Sequence, residues 1–167
     1  MAAYAVVALA CRGIEGPPTT TMVGDSADNV AFGITHNVST DGMRRVRIEA
    51  DTAYQYDARQ TVELRQLTVV FYSTEGAESS RITADWGTYD YQSGDMVARG
   101  NVVGTTPDGR ILTTSKLEYD QVADRLQTDE AFVFDSADEH LEGSGFSADR
   151  DFRNYDVTNP RQGRVRN

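Results

Sequence analysis

Two stretches decide how this chain folds: Arg81–Gly104, RITADWGTYDYQSGDMVARGNVVG, and Ile111–Phe134, ILTTSKLEYDQVADRLQTDEAFVF. Each starts in a short apolar run and reaches a Tyr-Asp step. Each then turns through small and polar residues and climbs into a second apolar run. Tyr89-Asp90 matches Tyr119-Asp120, Met96 matches Leu126, and Val102-Val103 matches Phe132-Val133. The frame extends backward, with Tyr56-Asp57 on Tyr89-Asp90, Leu64 on Val97 and Val69-Val70 on Val102-Val103. It extends forward more faintly to Leu141, Phe146 and Tyr155. A repeated two-strand unit cannot bury its apolar face alone, so neighbouring units stack into one continuous core.

Turn signals set the beat. They are STDG (39–42), YDARQ (56–60), STEG (73–76), YQSGD (91–95), TPDG (106–109), DQVAD (120–124), DSADE (135–139) and DRDFRN (149–154). Asp-Gly and Glu-Gly supply the positive-φ positions of tight hairpins. Between the turns the pattern has period two. Val46, Ile48 and Ala50 share one face against Arg45, Arg47 and Glu49; Leu67, Val69 and Phe71 alternate with Thr68, Val70 and Tyr72. No segment carries a helical stripe. This spacing predicts an all-β, all-antiparallel fold, a long twisted roll of about four hairpin units, with a β-sandwich as the alternative.

The totals narrow the function. With 167 residues, 39% apolar and 25% charged, the chain is neither a disordered polypeptide nor a multi-span membrane protein. A formal charge of −10 argues against nucleic acid, which needs a basic surface. One Cys excludes a disulfide framework, and the two His, His36 and His140, share no ligand spacing, so no metal site is expected. The acidic residues sit mostly at turns, where Asp ties the backbone locally. A catalytic carboxylate pair of the glycosidase kind is therefore not expected, and no nucleophile elbow or phosphate loop is present. DSADEH (135–140) lacks the Gly and terminal Glu of a calcium loop. Arg44, Arg45 and Arg47 form the one basic cluster, readable as contacts for lipid phosphates or as a solvated strand face.

The chain divides into three parts. Residues 1–11, MAAYAVVALAC, are apolar but shorter than the roughly 20 residues that span a bilayer. ALAC is similar to a bacterial lipobox with Ala8 in the usual Leu place, making Cys11 a lipidation candidate. A truncated signal or membrane anchor is the second reading, and both place the rest outside the cytoplasm; the third, an ordinary cytosolic N-terminus, is disfavoured by the linker-like stretch that follows. Residues 12–30 read as a flexible linker, and 31–167 as a single β domain.

Taken in order, the motifs resemble a known family. The Ala-Asp start, the Tyr-Asp step, GNV at Gly100–Val102 and the Asp108-Gly109 turn followed by LTTSKLEYD are similar to the OstA-like repeats of lipopolysaccharide export. STDGMRRVRIEADTAYQYD, LTVVFYSTEG and LEGSGFSADRDFRNYDVTNPRQGRV around that repeat resemble the LptC family over about 30–165. The resemblance implies an elongated β-jellyroll open along one side, with no cofactor and no catalytic centre. It implies a lipopolysaccharide-binding component at the periplasmic face of the inner membrane, which passes lipid from an ABC transporter to a soluble LptA-like bridge.

On that reading the inward-facing apolar residues line the lipid path: Val46, Ile48, Leu64, Val69, Phe71, Ile82, Trp86, Met96, Val102, Leu117, Leu126, Phe132, Phe134 and Phe146. Without the resemblance they read as ordinary core. The resemblance places the bridge at a C-terminal strand edge of Tyr155, Asp156, Val157, Thr158, Arg164 and Val165, and the transporter at the N-terminal strands. Pro160 argues for a frayed tail instead. Two other functions remain open: a soluble LptA-like bridge, and a secreted carbohydrate-active β-roll enzyme.

Overall fold

A computed structural model describes residues 26–165. Nine strands follow one another: β1 (Asn29–Thr40), β2 (Met43–Tyr56), β3 (Thr61–Tyr72), β4 (Glu78–Asp90), β5 (Met96–Thr105), β6 (Ile111–Asp120), β7 (Arg125–Asp135), β8 (Glu139–Asp149) and β9 (Tyr155–Val165). A single turn of 3-10 helix at Asp57–Arg59 joins β2 to β3. Every predicted turn falls between two strands. All nine strands form one sheet in sequence order, each pairing antiparallel with the next. The alternative of two stacked sheets is thereby excluded. The candidate anchor, including Cys11, lies outside the described residues.

The inner face is one apolar surface that curls on itself. Along one row, Gln55 sits opposite Val62, Val62 opposite Tyr89, Tyr89 opposite Met96, Met96 opposite Tyr119, Tyr119 opposite Leu126, Leu126 opposite Ala148, and Ala148 opposite Tyr155. Curling follows from kinks in midstrand. Inward residues run Ala50 then Ala53, Ala84 then Gly87, Thr114 then Leu117, and Gly143 then Phe146, each skipping one residue of the alternation. Adjacent strands kink at the same level through residues with positive φ, among them Gln66 (50°), Gly100 (74°) and Asn101 (45°). Bulges of this kind bend a strand and tighten its twist, which closes a flat sheet into a roll. Asn101 Nδ2 donates to Asp85 Oδ2 at 2.7 Å and ties the β5 kink to the β4 kink.

The Tyr-Asp step now has a physical meaning. Tyr89 and Tyr119 are the last inward side chains of their strands, and the following Asp holds the turn. Asp90 accepts from the backbone N–H of Gln92 (2.8 Å) and Ser93 (2.9 Å), and Asp120 from that of Ala123 (2.7 Å). Those backbone bonds hold the Asp90 carboxyl below its usual range. The backward extension of the repeat is one residue out. Gln55, not Tyr56, occupies the place of Tyr89, and Tyr56 faces outward beneath the Arg59 guanidinium, 3.9 Å from its ring centroid. Leu64 is buried in the core, whereas its expected match Val97 stands on the outer face opposite Thr88 and Glu118.

Bonds from Asp28 fasten the start of β1 to the turn between β2 and β3. The Asp28 N–H donates to the Gln55 carbonyl at 2.8 Å, and the Asp28 carboxylate accepts from the Asp57 N–H at 2.8 Å.

Candidate functional site: a lateral apolar trough

The interior differs between its two ends. Toward the C-terminus it is solid. Phe132, Phe134, Phe146 and Tyr155 form a chain of ring contacts with centroids 5.0 to 5.7 Å apart. Phe152, in the β8–β9 turn, joins them with its ring 6.4 Å from that of Phe146, and it is completely buried. The turn folds back over the curled sheet, and Arg110 Nη1 donates to the Asp151 carbonyl across the seam at 3.5 Å. Gly104 makes this possible, since a Cβ there would stand 2.7 Å from Phe152 Cζ. Burial, reinforced by the bond from its hydroxyl to Glu139, pushes the Tyr155 phenol up to about 12.

Toward the N-terminus the roll is open. A hollow of about 570 Å³ is lined by Ala31, Ile34, Ile48, Ala53, Val62, Leu64 and Tyr89, with Asn29, Thr35, His36, Gln55 and Tyr91 at its borders. That volume is in the range of ordinary small-molecule sites, about 300 to 1,000 Å³. A second hollow of about 230 Å³ shares Ile48 and Tyr89 and runs toward the β1–β2 hairpin and the turns after β4, β6 and β8. His36 on β1 meets Tyr89 on β4 at 5.9 Å, where the two hollows adjoin. Among the described residues, neither hollow has Asp or Glu in its lining. Among the described residues, no group of three His, Cys, Asp or Glu stands close enough to hold a metal.

Thirteen of the fourteen lining candidates are buried in the interior; Trp86 is not. Val46, Ile48, Leu64 and Met96 border the hollows. Val69, Phe71, Ile82, Leu117 and Leu126 surround, with Met96, a gap of about 20 Å³ deeper in the roll. Val102, Phe132, Phe134 and Phe146 belong to the solid part. Trp86 stands on the outer face, 45% exposed, with the Arg65 guanidinium 3.2 Å from its ring centroid. The cause is the kink at Asp85. Ile82 and Ala84 point in, but the skipped residue turns Trp86 out and Gly87 in.

Sequence reasoning missed Ile34, His36, Val62 and Tyr89 as walls of the larger hollow. The alternation Ile34-His36-Val38 was the available signal in β1. Phe152 was hidden because it sits in a turn, where apolar residues carry no periodicity.

Among the described residues, both ends of the sheet are strands that pair on one side only. β1 pairs with β2, and β9 with β8. β1 exposes Phe32 (77%) and Val30 (42%). In β9, Tyr155, Asp156 and Val157 pair opposite Ala148, Ser147 and Phe146, and the backbone of Arg164 and Val165 continues the ladder opposite His140 and Glu139. Pro160 does not fray this strand. It lies opposite Gly143, at the irregularity beside Glu142, where a missing N–H is tolerated.

A single antiparallel meander curled around an apolar trough, open at one end and, among the described residues, unpaired along both edges, defines an open β-jellyroll. The chain belongs to the LptC-related lipopolysaccharide-assembly family, whose model matches residues 12–160. Membership makes it a component of lipopolysaccharide export. No curated protein matches the chain.

Proposed function

We propose that the chain is a non-enzymatic relay that holds lipopolysaccharide by its acyl chains in the N-terminal trough. The observation that carries this reading is the apolar hollow beside β1, wide enough for chains and bordered by Ile34, Ile48, Val62 and Leu64. Each methylene moved from water into such a lining contributes about 0.8 kcal/mol, so affinity needs no polar recognition. The sugars stay in solvent at the open side.

The relay acts on the periplasmic side of the inner membrane. β1, next to the trough, takes the edge of the inner-membrane ABC transporter's β-domains. β9, at the solid end, takes a strand of a soluble LptA-like bridge. Both contacts are β-augmentation, in which main-chain hydrogen bonds carry the affinity. Cys11, if acylated, ties the chain to the membrane ahead of β1.

The test is site-specific photo-crosslinking in cells. A photoreactive side chain at Ile48 or Leu64 should label lipopolysaccharide, and one at Leu112, buried in the solid part, should not. An absence of adduct from both trough positions would sink the reading.

A further inference from the structure

We infer that Arg45 and Arg150 form a phosphate-binding site at the rim of the smaller hollow, which takes the phosphorylated head group of the amphiphile whose chains fill the trough. This rests on the reading of the trough given above.

The sequence writes three arginines within four positions, and the structure separates them. Arg44 lies over the ring of Tyr72 at 4.1 Å, and Arg47 pairs with Glu49 at 3.3 Å on the outer face. Arg45 does neither. Register between β1 and β2 shifts where Val38 pairs with Val46 but Ser39 pairs with Arg44. Arg45 is the unpaired residue of that bulge, and bulges re-aim side chains. It lines the smaller hollow, half-buried, with no ion pair among the described residues. No carboxylate among the described residues occupies its guanidinium, which leaves the paired donors for an anion that enters the hollow.

Arg150 reaches the same hollow from the β8–β9 turn. Its Nε is 2.8 Å from Asp124 Oδ1, the oxygen that also accepts the Tyr119 hydroxyl at 2.9 Å. Its guanidinium carbon lies 5.8 Å from the centroid of Phe71. Asp124 therefore orients Arg150 through one edge of the fork and leaves its other donors for a ligand. Val46, Ile48 and Met96 line the same hollow as the two arginines. Apolar lining and guanidinium rim together suit an acyl chain joined to a phosphate, since Arg presents paired donors to phosphate oxygens. No carboxylate among the described residues lines this hollow, although the chain as a whole carries −10.

The experiment measures equilibrium binding of the full chain to three probes: purified lipopolysaccharide, the same lipopolysaccharide stripped of phosphate, and inorganic phosphate. The wild type should hold the phosphorylated form about tenfold more tightly than the stripped form. Arg45→Gln should abolish that difference while leaving the stripped form's affinity unchanged. Arg45→Lys, which keeps the charge without the fork, should restore part of it. Arg45 makes no hydrogen bond or ion pair among the described residues, whereas Arg150→Gln frees Asp124, so each variant is compared only after its unfolding transition matches the wild type. Equal affinity for both forms in wild type and Arg45→Gln overturns the phosphate site and leaves the trough standing. A wild type that holds neither form overturns both. Displacement of lipopolysaccharide by about 1 mM inorganic phosphate would make this a site for free phosphate and overturn the head-group assignment.

Discussion

The rings of His36 and Tyr89 meet at 5.9 Å and 43°, although β1 and β4 are separated in the sheet by two other strands. Contact between strands that share no backbone bonds is what curling produces. Here it holds the edge strand across the trough. Replacing His36 with Ala removes a ring pair worth about 0.5 to 1.5 kcal/mol. We expect a lower urea midpoint and stronger fluorescence from an apolar dye entering the widened trough. Unchanged dye binding would mean that the contact does not restrain β1.

Phe152 closes the opposite end, and its neighbour on the sheet is Gly104. Phe152→Ala should cost about 3 to 5 kcal/mol, the range for emptying a packed aromatic site. Gly104→Ala puts a Cβ where the ring lies, 2.7 Å from Cζ, and should also destabilise the wild type. In the Phe152→Ala background the same Gly104→Ala change should cost little, because the added methyl enters the space the ring has left. Denaturant unfolding of the four proteins gives the coupling. Additive losses would show that the two positions do not touch.

His140 stands between two carboxylates: Nδ1 is 2.7 Å from Asp135 Oδ1 and Nε2 is 3.0 Å from Glu142 Oε1. The bond to Asp135, then that to Glu142, raises the imidazole above its usual value near 6.5. Only the imidazolium can donate both bonds at once. A raised folded-state value means the stabilisation is complete below about 6.5 and is lost as pH rises through the folded value. The melting temperature should therefore fall between about pH 6 and pH 8 more steeply in the wild type than in His140→Asn. Equal slopes would remove His140 from the pH response.

Trp86 is the only Trp, so its emission reports one site. Because it stacks under Arg65 on the outer face, acrylamide should quench it efficiently. Its emission maximum should not move when lipopolysaccharide is added. A blue shift on loading, with protection from the quencher, would place Trp86 at the ligand and contradict the position found here.

Much of this fold was legible because hairpins are local. Asp108-Gly109 and Glu75-Gly76 mark turns whose geometry those residues supply within a few positions, and the alternation of Val46, Ile48 and Ala50 names a buried face without reference to any other strand. The repeat told the same story twice, in Tyr89-Asp90 and Tyr119-Asp120. Trp86 escaped because one skipped residue at Asp85 inverts every side chain beyond it, and a kink leaves no mark in a composition of Asp, Trp and Gly. Leu64 fell on Val97 for a different reason: the Tyr56-Asp57 step stands one residue off the frame of Tyr89-Asp90. In the site, Ile48 and Leu64 could be read as inward. That Ile48 faces open space while Phe134 faces solid packing could not, since both obey the same alternation.

The order of residues along this chain determined the strands, their turns and which flank of most strands avoids water, because each of those rests on neighbours one to four positions away. The curled sheet decided where the interior stays open, which of three adjacent arginines reaches it, and that a phenylalanine from a turn seals the far end. Those outcomes depend on distances between residues as remote as His36 and Tyr89 or Gly104 and Phe152, and only the accumulated bend of nine strands sets such distances.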